Sequence, residues 1–211
     1  MEVVRAPAIY PDPSAGGAVT EVPILLPLVS AAVTEYDAVV YDLDGTLVDL
    51  DVDWNAVAVD VRAVYDNANV EPPSDGLWDM LEAADEVGLA AEVESAIATH
   101  EHDGARTSRR LVRADELLER SPPAGVCSLN CERACRIALE EHALTMAVDA
   151  VVGRDTVATW KPDPEPLLAT VRELEAEPER ALFVGDSARD RRTAERAGTD
   201  FEYVGDGPSG V

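Results

Sequence analysis

Strand-like and helix-like segments alternate along the second half of the chain, and this alternation limits the possible folds more than any other feature. Each short apolar segment precedes a segment whose apolar residues have helical spacing. The expected strands are 126–129, 150–153, 181–185 and 201–204, and the expected helices are 131–142, 164–174 and 188–197. The pattern predicts a parallel sheet covered by helices on both faces, with ligands bound at the carboxyl ends of its strands.

A further strand is expected at 36–42, and it leads into the segment Asp42-Leu43-Asp44-Gly45-Thr46. Two carboxylates one residue apart at the end of a strand lean toward the same side, so both can face one crevice. Gly45 lets the chain turn without a Cβ in the way. From these residues alone, an ordinary Asp-Gly turn and a catalytic loop are both open. A calcium loop is excluded, because it needs glycine at its sixth position, where Leu47 or Trp54 stands.

Acidic residues outnumber basic residues, and this limits the partners. The chain has 42 Asp and Glu against 17 Lys and Arg, with a formal net charge of −25. Such a charge repels nucleic acids and anionic membranes, so neither is an expected partner. Lys161 is the only lysine, and this composition resembles that of proteins from salt-loving archaea, in which concentrated salt screens self-repulsion. We recognise no secretory signal and no apolar run of membrane-spanning length, so a cytoplasmic protein is expected.

The other segments suggest how the chain is divided. Residues 1–34 are rich in Pro, Gly and small side chains, and we expect them to form a poorly ordered extension. Residues 52–120 show helical spacing without a strand signal, so an all-helical unit is expected to be inserted after the first strand. The core would then comprise 35–51 and 121–211.

Four arginines stand out in this inserted unit, within a helix that we expect over 104–120. They are spaced at i, i+3, i+4 and i+7, so they would form one basic face of that helix. Two interpretations are open: the arginines contact a substrate carboxylate, or they pair with neighbouring acids such as Glu101, Asp103 or Glu116. The four are Arg106, Arg109, Arg110 and Arg113.

Polar side chains with catalytic potential stand near the carboxyl ends of the expected strands. Because the carboxyl ends of parallel strands meet at one edge of a sheet, these side chains should converge in one crevice. Each could also be a separate cap or turn residue, but several at the same edge favour a site. They are Asp42 and Asp44 after the first strand, Ser128 and Asn130 after the second, Lys161 before the fourth, and Asp186 and Asp190 after the fourth.

These residues resemble the motifs of the haloacid dehalogenase-like hydrolase superfamily, in its phosphoglycolate phosphatase-like branch. The motifs appear in order as Asp42-Leu43-Asp44-Gly45-Thr46-Leu47, Ser128, Lys161-Pro162-Asp163-Pro164 and Gly185-Asp186-Ser187-Ala188-Arg189-Asp190. The resemblance implies a Rossmann-like core of three α/β/α layers with an inserted helical cap of the C1 type. It also implies a Mg²⁺-dependent phosphomonoesterase that acts on a small phosphorylated metabolite through an aspartyl-phosphate.

The resemblance also implies roles for the first motif and for the metal ligands. Asp42 would attack phosphorus, and Asp44 would protonate the leaving alkoxide and then accept a proton from water. Asp42, Asp186 and the backbone carbonyl of Asp44 would bind Mg²⁺. An acid at Asp44 distinguishes this chain from the dehalogenases of the superfamily, whose reaction has no alkoxide to protonate.

The other motifs would support the transferring phosphoryl group. Ser128 and Lys161 would stabilise its oxygens. Asp190 and Thr46 would position these groups without contacting the phosphoryl group themselves. The residues that could contact the substrate are Gly45 in the loop and Arg106 and Arg109 on the expected basic face.

Two alternative functions share these motifs. A sugar-phosphate mutase of the same superfamily would isomerise its substrate rather than release phosphate. A non-catalytic module would bind a phosphate or a partner without turnover. In either case the expected partner is a small phosphate ester, and a monomer or homodimer is expected.

Overall fold

The computed structural model of the protein describes residues 36–119 and 122–205, so the extension expected at 1–34 lies outside the described residues. In chain order, the strands are β1 (Ala38–Tyr41), β2 (Val48–Asp49), β3 (Arg109–Arg110), β4 (Ala124–Cys127), β5 (Ala150–Val152), β6 (Ala181–Gly185) and β7 (Asp200–Tyr203). The helices are α1 (Trp54–Ala68), α2 (Leu77–Ala83), α3 (Ala90–Arg106), α4 (Val112–Glu119), α5 (Glu132–Glu141), α6 (Glu165–Glu173) and α7 (Ala188–Ala197).

Five of the strands form a central parallel sheet in the order β5-β4-β1-β6-β7. The chain proceeds from β1 outward to β5 on one side, then returns to β6 and β7 on the other. This reversal next to β1 creates a crevice at the carboxyl ends of β1 and β6, where open α/β sheets bind their ligands. The predicted parallel α/β fold is confirmed, with strand positions within about two residues of those expected.

Apolar side chains that alternate along the strands build a core on each face of the sheet. Val39 and Tyr41 belong to a cluster that includes residues of α4 and α5. Val40 and Phe183 belong to a second cluster with residues of α6 and α7. Strands buried on both faces are expected to be apolar throughout, and β1 is completely buried. The three α/β/α layers of the core follow from this arrangement.

Helices α1, α2 and α3 lie between β1 and β4 in the sequence, and we call them the helical insertion. They have a hydrophobic core of their own. Val57, Val61, Met80, Val93 and Ile97 are fully buried in it. Asp53 caps α1, since its side chain accepts hydrogen bonds from the two amides at positions 55 and 56. Helix α3 also packs against α5 of the core, so this helix belongs to two packing interfaces. None of the helices within the described ranges has both the length and the apolarity needed to cross a membrane.

The helix expected over 104–120 is wrong in its first part. Helix α3 ends at Arg106, and Arg109–Arg110 form β3, which pairs antiparallel with β2. Leu111 N then donates to Leu47 O at 3.0 Å before α4 begins. The segment leaves the helix because its backbone groups satisfy those of β2. The expected arginine face therefore does not exist, and the insertion is followed by a short ribbon instead of being continuously helical.

Candidate active site

The loop after β1 is held tightly against the end of β6. Asp42 N donates to Val184 O at 2.9 Å, and Leu43 N donates to Asp42 Oδ1 at 2.7 Å. Gly45 has a φ of +78°, and a Cβ at this position would overlap the Asp186 carboxylate. Both the backbone angle and the close approach require glycine here. The loop therefore brings the ends of β1 and β6 into direct contact.

Lys161 lies between two carboxylates at this edge of the sheet. Its Nζ is 2.9 Å from Asp42 Oδ1 and 2.5 Å from Asp190 Oδ1. The side chain is 2% exposed, which would by itself lower the pKa of the ammonium. The charges of Asp190 and Asp42 outweigh that effect and raise the pKa of Lys161 above its ordinary value. Lys161 thus stays positively charged at neutral pH.

Asp190 is fixed by the first turn of α7 as well as by Lys161. Its Oδ2 accepts hydrogen bonds from Ser187 Oγ at 2.5 Å and from Ser187 N at 3.1 Å. Ser187 Oγ in turn accepts from Asp190 N, which completes a capping box. Burial would raise the pKa of Asp190, but Lys161 and Ser187 outweigh it and lower the pKa. Asp190 is therefore an ionised carboxylate, and both of its oxygens accept hydrogen bonds from Lys161 or Ser187.

The two aspartates of the first motif hold protons more strongly than an exposed aspartate. Burial raises the pKa of Asp42 to about 7 even though Lys161 opposes the shift. Burial likewise raises the pKa of Asp44 to about 6, and the nearby charges of Asp49 and Asp186 add to it. Leu50 N donates to Asp44 Oδ1 at 2.8 Å and orients this carboxyl group. Asp44 is thus poised to exchange a proton near neutral pH.

Three carboxylates could hold a cation at this place. Asp42, Asp186 and Asp190 each offer an oxygen atom within 4.8 Å of the others. Oxygen donors from carboxylates are the ligands that Mg²⁺ prefers, so the donor set fits this metal. The structure includes Asp190 in this group, whereas the sequence-based expectation was Asp42, Asp186 and the carbonyl of Asp44. The contribution of that carbonyl stays a prediction.

Ser128 and Asn130 lie together at the carboxyl end of β4. Ser128 Oγ donates to Asn130 Oδ1 at 3.1 Å and accepts from Asn130 N at 3.2 Å. Both side chains are buried. The sequence pattern predicts Asn130 at this strand end without a catalytic role, because Leu129 separates it from Ser128. Thr46 Oγ1 is buried as well and has no hydrogen-bond partner within residues 36–119 and 122–205.

The arginines expected to contact a substrate pair with acids instead. Arg106 binds Asp103 at 2.6 Å, and Arg109 binds Asp49 at 2.8 Å. More than half of each arginine side chain is exposed. Of the two interpretations of the arginine run, pairing with acids is the one found in the structure. The other two arginines are also paired: Arg110 with Asp115, and Arg113 with Glu116 and Glu202.

Two further contacts join the helical insertion to the core, and neither contact was predicted from the sequence. Arg189 at the start of α7 lies over the ring of Trp78 in α2, with its Cζ 5.5 Å from the ring centroid. Glu101 in α3 is fully buried and binds Arg154, which follows β5. A sequence signal for Glu101 did exist, because it continues the buried i, i+4 series of Val93 and Ile97.

The family is decided by a comparison with models of known protein families. Residues 39–204 match the model described as haloacid dehalogenase-like hydrolase. The chain belongs to the haloacid dehalogenase-like hydrolases. Two of its relatives are phosphatases. It is 34% identical over 183 residues to phosphoglycolate phosphatase of Rhodospirillum rubrum, covering 76% of each chain. It is 31% identical over 182 residues to N-acetylmuramic acid 6-phosphate phosphatase of Pseudomonas aeruginosa, covering 79% of this chain and 80% of the relative.

Two solved structures share the fold of this chain. A hydrolase from Pseudomonas syringae superposes with a TM-score of 0.59 at 23% identity, covering 78% of this chain and 83% of that one. CbbY from Rhodobacter sphaeroides in complex with phosphate has a TM-score of 0.59 at 17% identity, covering 82% and 87% of the two chains. At these identities the likeness concerns the fold alone. Together with the relatives, the family confirms the prediction of a hydrolase of the phosphatase type.

Proposed function

We propose that this protein is a Mg²⁺-dependent phosphomonoesterase that forms an aspartyl-phosphate on Asp42. The observation that carries the proposal is the arrangement of Lys161, which bridges Asp42 and Asp190 while Asp186 lies within reach of both acids. This combination gives one buried cation beside a nucleophilic carboxylate and a set of oxygen ligands for a metal. It is the chemistry that phosphoryl transfer requires.

In the first step, Asp42 attacks phosphorus and the bond to the leaving alkoxide breaks. Lys161 and Leu43 N both hold Oδ1 of Asp42, so we assign the attack to Oδ2. Asp44 gives its proton to the alkoxide oxygen, which its raised pKa allows. In the second step, water attacks phosphorus and gives a proton to Asp44, and the bond from phosphorus to Asp42 breaks to release phosphate.

The remaining groups stabilise the oxygens of the transferring phosphoryl group. Lys161 supplies a positive charge, and Ser128 supplies a hydroxyl. Asp42, Asp186 and the carbonyl of Asp44 would hold Mg²⁺, which would supply the positive charge that lets a phosphate approach three acids. Asp190 keeps Lys161 in position, and Thr46 is a fully buried residue of the loop after β1.

We propose that the substrate is a small phosphorylated metabolite and that the helical insertion serves as a cap of the C1 type over the site. The curated relatives support a substrate in the range of phosphoglycolate and sugar phosphates. The contact of Arg189 with Trp78 supports closure of the insertion onto the core at the start of α7. The acidic, lysine-poor composition supports an origin in a salt-loving archaeon and activity in the cytoplasm at high salt.

The proposal is tested by measuring phosphate release in molar KCl with Mg²⁺. The substrates are 2-phosphoglycolate, N-acetylmuramic acid 6-phosphate, sugar phosphates and nucleotides. Asp42→Asn should lower kcat by at least about 1,000-fold, whereas the control Asp115→Asn, on an exposed residue, should leave kcat unchanged. Isomerised product without phosphate release would indicate a mutase, and no turnover of any ester would indicate a binding module. An Asp42→Asn variant with full activity would refute the aspartyl-phosphate.

A further inference from the structure

A buried ion pair connects the helical insertion to the core. Glu101 of α3 is 0% exposed and Arg154 is 3% exposed. Two parallel hydrogen bonds join them: Arg154 NH1 to Glu101 Oε1 at 2.7 Å and Arg154 NH2 to Glu101 Oε2 at 3.0 Å. A buried pair of charges is retained without large cost only when its other donors and acceptors are also satisfied.

The remaining donors of Arg154 are satisfied by one more acid and one carbonyl. Its Nε and NH2 bind the two oxygens of Glu94 at 3.0 and 2.7 Å, and its NH1 binds Leu129 O at 2.6 Å. Burial would lower the pKa of Arg154, but the hydrogen bonds with Glu94 and Glu101 outweigh it and raise that pKa. Arg154 is therefore a permanent cation that holds Glu101 in a single orientation.

Glu101 also accepts hydrogen bonds from the segment that follows Ser128. Its Oε2 accepts from Cys131 N at 3.0 Å, and its Oε1 accepts from Asn130 Nδ2 at 3.3 Å. An ionised carboxylate can only accept hydrogen bonds, so it selects the NH₂ end of the Asn130 amide. The carbonyl end of Asn130 then faces Ser128 and accepts from its hydroxyl at 3.1 Å. A chain of four side chains thus runs from Arg154 to Ser128.

We propose that Glu101 is a positioning residue for phosphoryl transfer, which sets the hydroxyl of Ser128 through the amide of Asn130. The inference rests on the proposed phosphatase function, because it requires Ser128 to face a phosphoryl group. It goes beyond that function in giving the helical insertion a direct part in building the second motif. The insertion contributes the carboxylate that sets which end of the Asn130 amide faces the Ser128 hydroxyl.

The position of Glu101 on its helix favours this role over simple anchoring. Val93, Ile97 and Ala105 stand at the equivalent buried positions of α3, and all are apolar. An apolar residue at 101 would join α3 to α5 without the cost of burying a charge. Glu94 already gives Arg154 a carboxylate partner. The acid at 101 is therefore explained by its contacts with Asn130 and Cys131.

A double-mutant cycle with Ser128 tests the proposal. Glu101→Gln keeps the size of the side chain but offers one accepting oxygen, so Asn130 loses its defined orientation. We expect kcat to fall by about 10-fold to 100-fold, with KM changed less. In a Ser128→Ala background, Glu101→Gln should cause no further loss. The control is Glu94→Gln, which removes a partner of Arg154 that does not contact Asn130, and which should leave kcat unchanged.

The unfolding midpoint in urea is measured for every variant. This measurement distinguishes a loss of kcat caused by mispositioning of Ser128 from one caused by a less stable fold. Effects on kcat that add in the cycle, or an equal loss of kcat in Glu94→Gln, would show an anchoring role and overturn the proposal. If Glu101→Gln does not fold, the pair is replaced by Glu101→Met/Arg154→Met. That replacement removes both charges of the buried pair at similar volume. Glu94 then loses its arginine partner, but its side chain is 31% exposed and can be hydrated, so the fold is expected to remain. The same loss of kcat is predicted for this replacement.

The cycle is repeated on the affinity for orthovanadate with Mg²⁺, measured by titration calorimetry, because this readout does not need turnover. Weaker vanadate binding in Glu101→Gln that disappears in the Ser128→Ala background supports the positioning role. If that coupling appears while no phosphate ester is hydrolysed, the positioning role holds and the proposed hydrolysis fails. If the wild-type protein neither hydrolyses esters nor binds vanadate, both proposals are overturned.

Discussion

Replacing Lys161 with methionine should destabilise the protein, and most strongly at alkaline pH. The ammonium lies 2.9 Å from Asp42 and 2.5 Å from Asp190. At 2.9 Å and an effective dielectric constant of about 20, Coulomb's law gives an attraction of about 6 kcal/mol for one such pair. The cost of burying the charges offsets part of this. Removing one partner of a buried pair costs about 3–5 kcal/mol, and we expect that loss at about pH 8.

The loss should shrink as the pH falls, because the two carboxylates can then take up protons. In the wild type, the pKa of Asp190 is lowered, so Asp190 adds stability above the unfolded pKa of about 4 and loses it below that pH. The effect of Asp42 on stability is the opposite. Its pKa is raised to about 7 in the folded protein, so its ionisation lowers the free energy of unfolding as the pH rises from about 4 to about 7. Without Lys161 both pKa values move upward. The stability difference should therefore grow with pH, by up to about 1.4 kcal/mol per unit for each carboxylate.

The measurement is urea unfolding of both proteins between about pH 5 and about pH 8, in constant molar KCl. EDTA is added so that no cation compensates for the missing ammonium. The control is Arg172→Met, which removes an arginine from an exposed pair with Glu165 at a similar distance of 2.6 Å. It should change the free energy of unfolding by less than about 1 kcal/mol. A difference for Lys161→Met that does not vary with pH would refute this reasoning.

Three other predictions concern the loop, the ribbon and the surface. Gly45→Ala should lower Mg²⁺-dependent phosphate release by about 100-fold, because the new Cβ would overlap Asp186. The control Gly88→Ala has a similar φ of +75° but lies in open space, so it should not lower phosphate release. Equal activities of the two variants would contradict the overlap. Arg109→Ala should change KM less than about twofold, because the arginine is exposed and paired with Asp49; a large rise in KM would show substrate contact. Molar KCl should raise the melting temperature through screening, and an unchanged value in a KCl series would refute a halophilic character.

The strands, the core helices and the meeting of the motifs were predictable because their signals are local. Apolar segments with a period of two or of 3.6 residues define the elements. Parallel topology then brings the residues after β1, β4 and β6 to one edge of the sheet. The positions of Asp42, Ser128 and Asp186 follow from that alone. Their catalytic roles stay predictions.

The sequence-based predictions fail where contacts between distant parts of the chain determine the local structure. Arg106 to Arg113 have helical spacing, but the backbone at 109–110 pairs with β2, about 60 residues earlier. Charged residues at helical spacing carry little information, because packing of an apolar face stabilises most helices. Glu101 and Arg154 are 53 residues apart, and neither belongs to a motif. Such a pair is visible only in three dimensions.

Lys161 is the only lysine in the chain and is 2% exposed. Its ε-amine cannot be acylated while it is protonated and enclosed, so a reagent that acylates lysine reaches it only when the surrounding structure opens. The rate of acylation of this single ε-amine therefore reports how often the crevice opens. A substrate or a phosphate mimic that closes the crevice would slow this reaction, and a peptide map would show it at one residue.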